Sequence, residues 1–268
     1  MRKNISFVTK YGLCSGCGTC FSFCPNNAIN IVKSKDGYYT ATVNENICNE
    51  CGLCIEVCPG FSFDFKKMES VFFKEGQKNF FTGTYLNSYL GYSTEHTIRY
   101  NSSSGGLVTT LLLFALKKGI IDGAVVVKMD KPLEAKAVIA RTEEEIIAAS
   151  GSKYCPVPLN TIIKEILKTR DEEKLAVVGL PCHIHGIRKA EAKNKKLKNK
   201  ILFHFGLFCT GTPTFLGTKF LLSHLKIKEN EIAELSYRGG GWPGGMYIKT
   251  CLLYTSDAAD ELDGVDLG

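Results

Sequence analysis

Two stretches of the sequence repeat one cysteine pattern: CSGCGTCFSFCP over residues 14–25 and CNECGLCIEVCP over residues 48–59. Each stretch has the spacing Cys-x2-Cys-x2-Cys-x3-Cys followed by proline, and the second lies 34 residues after the first. Small residues between the first three cysteines permit a tight loop that brings three thiolates to one face. The proline after the fourth cysteine turns the chain away from its own loop. The repeat therefore indicates two metal sites of the same kind.

This spacing matches the bacterial ferredoxin run, in which the fourth cysteine ligates the [4Fe-4S] cluster of the other run. We therefore expect two crosswise ligand sets: Cys14, Cys17, Cys20 and Cys58 for one cluster, and Cys48, Cys51, Cys54 and Cys24 for the other. Zinc is the alternative, but four-cysteine zinc sites are typically built from separated Cys-x2-Cys pairs. Residues 29–32 and 38–43 predict two strands joined by a turn at Gly37. Residues 1–65 are predicted to form the ferredoxin domain.

The composition is that of a folded protein with 44% apolar and 22% charged residues, and its 268 residues suggest two domains. The longest apolar run, residues 107–116, is too short to span a bilayer. The N-terminus lacks the apolar core of a secretory signal. We therefore expect a cytoplasmic protein without a membrane span, in which the cysteines bind metal rather than form disulfides.

The segment 251–268, CLLYTSDAADELDGVDLG, resembles a translated sequencing adapter, and we expect the native chain to be interrupted after Thr250, within a strand over residues 246–250. The segment holds five of the 27 acidic residues. Without it, 33 basic residues face 22 acidic ones, and the formal charge rises from +6 to +11. A basic surface suits an acidic redox partner or a polyanionic coenzyme. The lysines of residues 189–200 are predicted to form a solvated helix face, and no nucleic-acid motif is present.

After a predicted linker over residues 66–94, strand-like and helix-like patterns alternate, which favours an α/β architecture. The predicted helices span residues 107–118, 142–149, 159–168, 182–192 and 213–225. The predicted strands span residues 123–129, 137–141, 175–178 and 201–208.

Five motifs punctuate this part of the chain: NSSSGG (101–106), GSKY (151–154), GLPCH (179–183), GLFCTGTP (206–213) and YRGGGWPG (237–244). In these motifs the chain resembles the coenzyme F420 hydrogenase/dehydrogenase beta-subunit family of flavin-containing electron-transfer proteins. The resemblance implies an incomplete α/β flavin-binding domain over residues 95–250. The expected fold class is α+β, with an N-terminal dicluster ferredoxin fold followed by this α/β flavin-binding domain.

The resemblance also favours an FAD pyrophosphate site at the helix start of residues 102–106, where hydroxyls, N–H groups and the helix dipole suit an anion. A serine N-cap beside a glycine turn is the alternative. Arg238 is expected to hold an anionic group and Trp242 to cover the flavin ring, unless their loop is a surface turn. The expected cofactor-binding residues are Ser103, Ser104, Gly105, Gly106, Lys153, Arg238 and Trp242.

Three further cysteines, Cys155, Cys182 and Cys209, follow strand-like or apolar segments, whose ends converge on the ligand crevice in open α/β sheets. They are candidates for a third cluster or for a redox-active thiol, and Cys182 is the candidate catalytic residue. An inert buried cysteine is the alternative that we favour for Cys155. His183, where many relatives have Gln, and His185 are expected to be surface histidines.

The resemblance implies an oxidoreductase subunit that passes electrons between the [4Fe-4S] clusters, FAD and a two-electron carrier such as coenzyme F420. Its expected partners are a redox protein or a hydrogenase/dehydrogenase subunit. The alternative is a non-catalytic ferredoxin-type module that feeds another subunit. Flavin content distinguishes the two.

Overall fold

A computed structural model describes residues 4–73, 75–242 and 244–251 of the chain. The ferredoxin-like part contains α1 (Ser6–Lys10), α2 (Thr19–Phe23), β1 (Ile29–Lys33), β2 (Tyr39–Val43) and α3 (Leu53–Glu56). β1 and β2 pair antiparallel, which confirms the predicted strand-turn-strand. Gly18 and Gly52 occupy equivalent positions in the two repeats and precede α2 and α3 with φ of 87° and 80°. Both repeats therefore use a left-handed glycine to start the helix after the cysteine loop.

The predicted linker over residues 66–94 contains regular structure that the sequence analysis did not predict. It holds α4 (Phe65–Phe72), β3 (Gln77–Asn79) and β4 (Gly83–Tyr85). Asp64 caps α4, because its carboxylate accepts a hydrogen bond from the backbone N–H of Lys67 at 3.0 Å. β3 and β4 form a short hairpin with Phe80 and Phe81 exposed at its turn.

The rest of the described chain alternates helices and strands. In order, they are α5 (His96–Tyr100), α6 (Leu107–Lys117), β5 (Gly123–Lys131), β6 (Glu134–Ala140), α7 (Glu143–Ala148), a 3-10 turn (Leu159–Ile162) leading into α8 (Ile163–Ile166), β7 (Leu175–Gly179), α9 (Pro181–Lys193), α10 (Lys195–Lys200), β8 (Ile201–Gly206), α11 (Phe215–His224), β9 (Ile232–Gly239) and β10 (Gly245–Thr250). The predicted adapter-like segment lies outside the described residues apart from Cys251.

The central sheet has the strand order β6-β5-β7-β8. β5, β7 and β8 run parallel, and β6 pairs antiparallel with β5 at the edge. β9 and β10 form a separate antiparallel pair. The fold is therefore mixed α/β, as predicted. In the part of the chain that the structure describes, no helix is long and apolar enough to cross a membrane.

Side chains alternate between the two faces of this sheet and build two apolar clusters. Val125 and Val177 pack with helix residues such as Ile163 and Ile187. Ala124, Val126 and Ala176 pack with another group that includes Leu112, Ile121 and Ile146. Val57, which belongs to the second cysteine repeat, joins the first of these clusters and is fully buried. The ferredoxin-like part and the sheet therefore share one core.

A very close approach between the two parts occurs at Gly186 in the middle of α9. A Cβ at this position would overlap Thr19 Oγ1 and would lie 2.8 Å from Asn160 Nδ2. Asn160 is fully buried, and its Nδ2 donates to Thr19 Oγ1 at 2.7 Å and to the carbonyl of His183 at 2.9 Å. Only glycine permits α9 to pack this tightly against α2.

His183 and His185 both lie beside the contact between α9 and α2, which we call the seam. The burial of His183 corrects the expectation of surface histidines. His183 is 5% exposed. Its Nδ1 accepts a hydrogen bond from Leu180 N at 3.2 Å, and its Nε2 donates to the carbonyl of Val157 at 3.1 Å. Burial lowers the pKa of His183 to about 4, so the ring is neutral at pH 7. His185 stacks on Phe63 with 4.0 Å between ring centroids.

The lysine run 189–200 also differs from the predicted solvated face, because its first and last members are buried. Lys200 is 1% exposed, and its ammonium donates to Thr169 and to the carbonyl of Arg170. Lys189 is 8% exposed, and its Nζ donates to the carbonyls of Cys58 and Ser62, each at 2.6 Å. Carbonyl oxygens compensate both ammonium groups for the loss of water.

Replacing Gly186 with alanine is expected to lower the free energy of unfolding by about 1–3 kcal/mol, because the added methyl overpacks the seam. Gly217→Ala in α11 is the matched control, since a Cβ there meets its nearest atom at 3.6 Å. The control is expected to be neutral or stabilising by up to about 1 kcal/mol. Anaerobic chemical denaturation followed by circular dichroism measures both. Equal stability of the two variants would contradict the tight seam.

His183→Gln is expected to reduce the loss of stability on acidification. The unfolded chain protonates His183 below about pH 6.5, whereas the folded chain resists protonation down to about pH 4. Stability is therefore lost as pH falls through this window, in total about 3 kcal/mol. Between pH 7.5 and 5.5 the glutamine variant is expected to lose about 1 kcal/mol less than the parent chain. Identical losses in both proteins would show that His183 is not held neutral.

Candidate functional site

Two hollows in the ferredoxin-like part are each lined by four cysteines from both repeats. The first hollow contains Cys14, Cys17, Cys20 and Cys58. The second hollow contains Cys24, Cys48, Cys51 and Cys54. Their empty volumes, counted to the open mouth, are about 300 and 290 Å³. The structure therefore brings together the same two groups of four cysteines that the spacing predicts.

The chemistry of both hollows fits a polynuclear thiolate-bound cluster. Burial raises the pKa of Cys17, Cys20 and Cys54, and raises that of Cys58 to about 11. Such thiolates need compensating positive charge, and metal binding displaces their protons. Among the described residues, no three cysteine, histidine or carboxylate side chains converge on one metal ion. The thiolates of a cubane bind different irons and therefore stand farther apart than ligands of a single zinc.

The two hollows differ in their exposure to solvent. At the first hollow, Cys17, Cys20 and Cys58 are buried, and the backbone N–H of Asn160 donates to the carbonyl of Cys17 at 2.8 Å. At the second hollow, Cys51 is exposed. The first hollow thus faces the α/β part, and the second opens to solvent.

Cys182 stands at the start of α9, near Ser15 and Cys17 of the first hollow and near Cys209. Burial raises the pKa of Cys182 to about 11, and the charge of the neighbouring Cys17 contributes to this rise. A thiol that is activated as a nucleophile has a lowered pKa instead. The structure therefore places Cys182 in contact with the first hollow but does not give it the properties of a catalytic nucleophile.

Cys155, Cys182 and Cys209 do not converge on one point. Cys182 and Cys209 follow the adjacent parallel strands β7 and β8, which explains why they approach each other. Cys155 is 3% exposed and lies in a separate core cluster with Tyr237 and Phe215. Its environment is that of an inert buried cysteine.

Three segments meet at a second location, which we call the three-loop site: residues 101–106, residues 151–154, and the end of β9 with the turn that follows it, residues 237–242. Arg238 donates to the carbonyl of Ser103 at 3.4 Å and to the hydroxyl of Tyr154 at 3.3 Å. The backbone N–H of Ser152 donates to Ser103 Oγ at 2.8 Å. One guanidinium therefore touches the other two loops.

The other expected flavin-binding residues are distributed around this site. Gly106 precedes α6 with φ of 76° and gives its N-terminus no side-chain cap. Ser104 accepts a hydrogen bond from Arg99 through its carbonyl, and Gly105 packs near the carbonyl of Gly91. Trp242 is 64% exposed.

Lys153 is oriented differently from an anion ligand. Its Nζ donates to the carbonyls of Ala149, Ser150 and Gly151 at 2.5–2.9 Å, and burial lowers its pKa to about 8. These three hydrogen bonds cap the end of α7 and use all three donors of the ammonium. Contact with a phosphate would require breaking them.

One stretch of chain joins the three-loop site to the first hollow. Ser152 hydrogen-bonds Ser103 at one end, Val157 accepts from His183, and Asn160 N reaches Cys17 at the other end. The eight Cα–Cα steps from Ser152 to Asn160 span at most about 29 Å when fully extended. This stretch therefore limits the separation of its two contact points to that length.

The sequence analysis missed two residues that build this arrangement, Asn160 and Lys189. No sequence signal marks Asn160, because an isolated asparagine in an apolar segment has no characteristic partner. Lys189 follows Cys182 and Gly186 by seven and three residues, which places it on the same helix face. That spacing could have separated it from the exposed lysines that follow.

Family models match three regions of the chain. The 4Fe-4S dicluster domain matches residues 13–60. The N-terminal and C-terminal parts of the coenzyme F420 hydrogenase/dehydrogenase beta subunit match residues 88–164 and 172–260. The last match extends into the predicted adapter-like segment.

Curated relatives agree with these matches. The coenzyme F420 hydrogenase subunit beta of Methanosarcina barkeri is 33% identical over 133 residues, 48% of this chain and 46% of the relative. The protein of the same name from Methanothermobacter thermautotrophicus is 33% identical over 162 residues, 57% of this chain and 58% of the relative. One subunit of the F420H2 dehydrogenase of Methanosarcina mazei is 22% identical over 242 residues, 90% of this chain and 66% of the relative. The chain thus spans about half the length of the first two relatives.

A solved structure is also similar. A chain of the F420-reducing [NiFe] hydrogenase complex from Methanosarcina barkeri superposes with a TM-score of 0.50 at 25% identity, covering 65% of this chain and 63% of that chain. Together with the two beta-subunit matches and the dicluster match, this similarity identifies the chain as a member of the coenzyme F420 hydrogenase/dehydrogenase beta-subunit family that carries an N-terminal 4Fe-4S dicluster domain.

Proposed function

We propose that the chain is an iron-sulfur flavoprotein subunit of an oxidoreductase. It would pass electrons between two [4Fe-4S] clusters, FAD and a two-electron carrier such as coenzyme F420. Relatives named as subunits of coenzyme F420 hydrogenase and of F420H2 dehydrogenase support this carrier and a partner subunit of the same kind. The basic character of the chain suits an anionic coenzyme.

The observation that carries this proposal is the continuous stretch from Ser152 to Asn160. It contacts the three-loop site at one end and the first hollow at the other. A short link that is hydrogen-bonded at both ends restricts the distance between two redox groups more than a flexible linker would. The arrangement therefore favours electron exchange within this chain.

The cysteines would supply the ligands of both clusters in the crosswise sets already described. At the first hollow, Thr19 Oγ1 lies 3.3 Å from Cys17 Sγ. At the second, Ala28 N–H donates to Cys24 Sγ at 3.2 Å, and Asn4 Nδ2 lies 3.8 Å from Cys48 Sγ. Hydrogen bonds to cysteine sulfur favour the more negative, reduced cluster. These contacts would hold the sulfurs in position and tune the potentials.

The three-loop site would hold the flavin. The N–H groups at the start of α6, with Ser103, Ser104, Gly105 and Gly106 before it, would face the pyrophosphate, and Arg238 would add positive charge. Trp242 is exposed and available to cover the ring. When bound, FAD would exchange electron pairs with the carrier and single electrons with the clusters. Lys153 would support the site as the cap of α7.

Anaerobic preparation is expected to yield about eight irons and eight acid-labile sulfides per chain, as two cubanes require. Cys24→Ser is expected to disturb the cluster held by the second run, although Cys24 belongs to the first run. Metal analysis and electron paramagnetic resonance measure both. A content near twelve irons would indicate a third cluster at Cys182 and Cys209, and zinc in place of iron would contradict the proposal.

Arg238→Gln is expected to weaken FAD binding by about tenfold or more, since one charge-assisted contact contributes about 1.5–3 kcal/mol. Both clusters should remain. This variant is a cleaner test than valine at Gly106, because the φ of 76° at Gly106 opposes any side chain regardless of flavin. Flavin extraction and fluorescence titration of reconstituted protein measure the affinity.

Arg170→Gln is the matched control, because Arg170 is exposed and lies beyond α8 on another part of the surface. It is expected to bind FAD like the parent chain. Full iron loading without flavin in the parent chain, even after reconstitution, would support the alternative, a non-catalytic ferredoxin-type module. Flavin binding without reduction of coenzyme F420 by dithionite-reduced protein would keep the flavoprotein assignment and remove that carrier.

A further inference from the structure

We propose that Lys189 is a positioning residue that raises the reduction potential of the cluster in the first hollow. This inference rests on the proposed function only in requiring a cluster in each hollow. It does not depend on flavin or on the identity of the carrier.

One face of α9 lies along the first hollow. Cys182, Gly186, Lys189 and Lys193 are spaced by four, three and four residues, which places them in one row on the helix. Each member meets the ferredoxin-like part: Cys182 lies near Ser15, Gly186 touches Thr19, Lys189 binds Cys58 and Lys193 pairs with Glu56. The row therefore places the positive charges of Lys189 and Lys193 along the first hollow.

Lys189 is the buried charge in this row. Its Nζ donates to the carbonyl of Cys58, a ligand of the first cluster in the proposed arrangement, and to that of Ser62, each at 2.6 Å. A buried charge is screened much less by salt than an exposed one. The ammonium therefore favours the extra negative charge of a reduced cluster and raises its potential. The positive N-terminal end of α9 near Ser15 acts in the same direction.

The second hollow has a different electrostatic surrounding. Among the described residues neither hollow is lined by a basic side chain, but Glu50 lines the second and Cys51 is exposed there, whereas Lys189 is hydrogen-bonded to the carbonyl of Cys58 at the first. A carboxylate nearby disfavours the reduced cluster. The repeat is symmetrical in its cysteines, but its electrostatic surroundings are not.

This effect of Lys189 favours one direction of electron transfer between the two clusters. A one-electron donor such as reduced ferredoxin would reduce the cluster in the open second hollow. Transfer of that electron oxidises this cluster and reduces the one in the first hollow, without a proton or a bond change. The rise in potential that Lys189 gives the first cluster favours the step towards the three-loop site.

The test is Lys189→Met in the complete 268-residue chain, with both potentials measured by an anaerobic dithionite titration followed by electron paramagnetic resonance. One couple is expected to become about tenfold harder to reduce, which is about 59 mV for one electron. The other should change less than twofold. Lys189→Arg, which keeps the charge, is expected to restore the parent potential.

Two controls separate charge at this position from general effects. Lys193→Met removes an about half-exposed charge one turn further along α9 and is expected to shift neither couple by more than twofold. Cys24→Ser is expected to alter the couple that Lys189→Met leaves unchanged, which identifies the second hollow. These titrations report on the clusters whether or not FAD is bound. A protein without flavin would therefore contradict the flavoprotein proposal but not this inference.

Several results would overturn the inference. They are unchanged potentials in Lys189→Met, equal shifts of both couples, and a shift of the same couple that Cys24→Ser alters. Loss of iron from both Lys189→Met and Lys189→Arg would assign the residue a purely structural role. A chain without clusters would remove both this inference and the proposed function.

Discussion

The close packing of α9 against α2 at Gly186 is the constraint on which the rest of the arrangement depends. It brings Thr19 of the first repeat against the helix, and Asn160 fills the remaining space with two hydrogen bonds. Because α9 follows β7 directly, this contact fixes the ferredoxin-like part relative to the central sheet. The start of α9 is thereby placed beside the first hollow.

The seam is polar as well as tight. Asn160, His183 and Lys189 are all buried there, and each donates to backbone carbonyls or to a hydroxyl. Buried polar groups cost stability when a partner is missing, so this network tolerates few alternative packings. The polar contacts define one relative position of the two parts.

The sequence predicted features that depend on local patterns. The cysteine spacing, the strand-turn-strand between the repeats and most elements of the α/β part follow from short-range periodicity. It did not predict the burial of Lys189 and Lys200, because a lysine run is solvated unless distant carbonyls surround it. α4 and the β3–β4 hairpin were missed because their short amphipathic patterns lie among exposed aromatic residues. Cys155 is separate from Cys182 and Cys209 because it follows α7 and not a strand of the central sheet, a difference that cysteine spacing does not encode.

A nearly symmetrical repeat acquires a direction because only one side of it is covered. Cys24 and Cys58 occupy equivalent positions, as do Thr19 and Leu53, yet α9 packs against Thr19 and Cys58. The second hollow keeps an exposed Cys51 and the nearby Glu50. Burial and positive charge both favour one hollow as the internal site, and exposure favours the other as the point of exchange with a partner. In the proposed electron path, the fused α/β part thus makes one of two equivalent sites the internal one and leaves the other as the entry site.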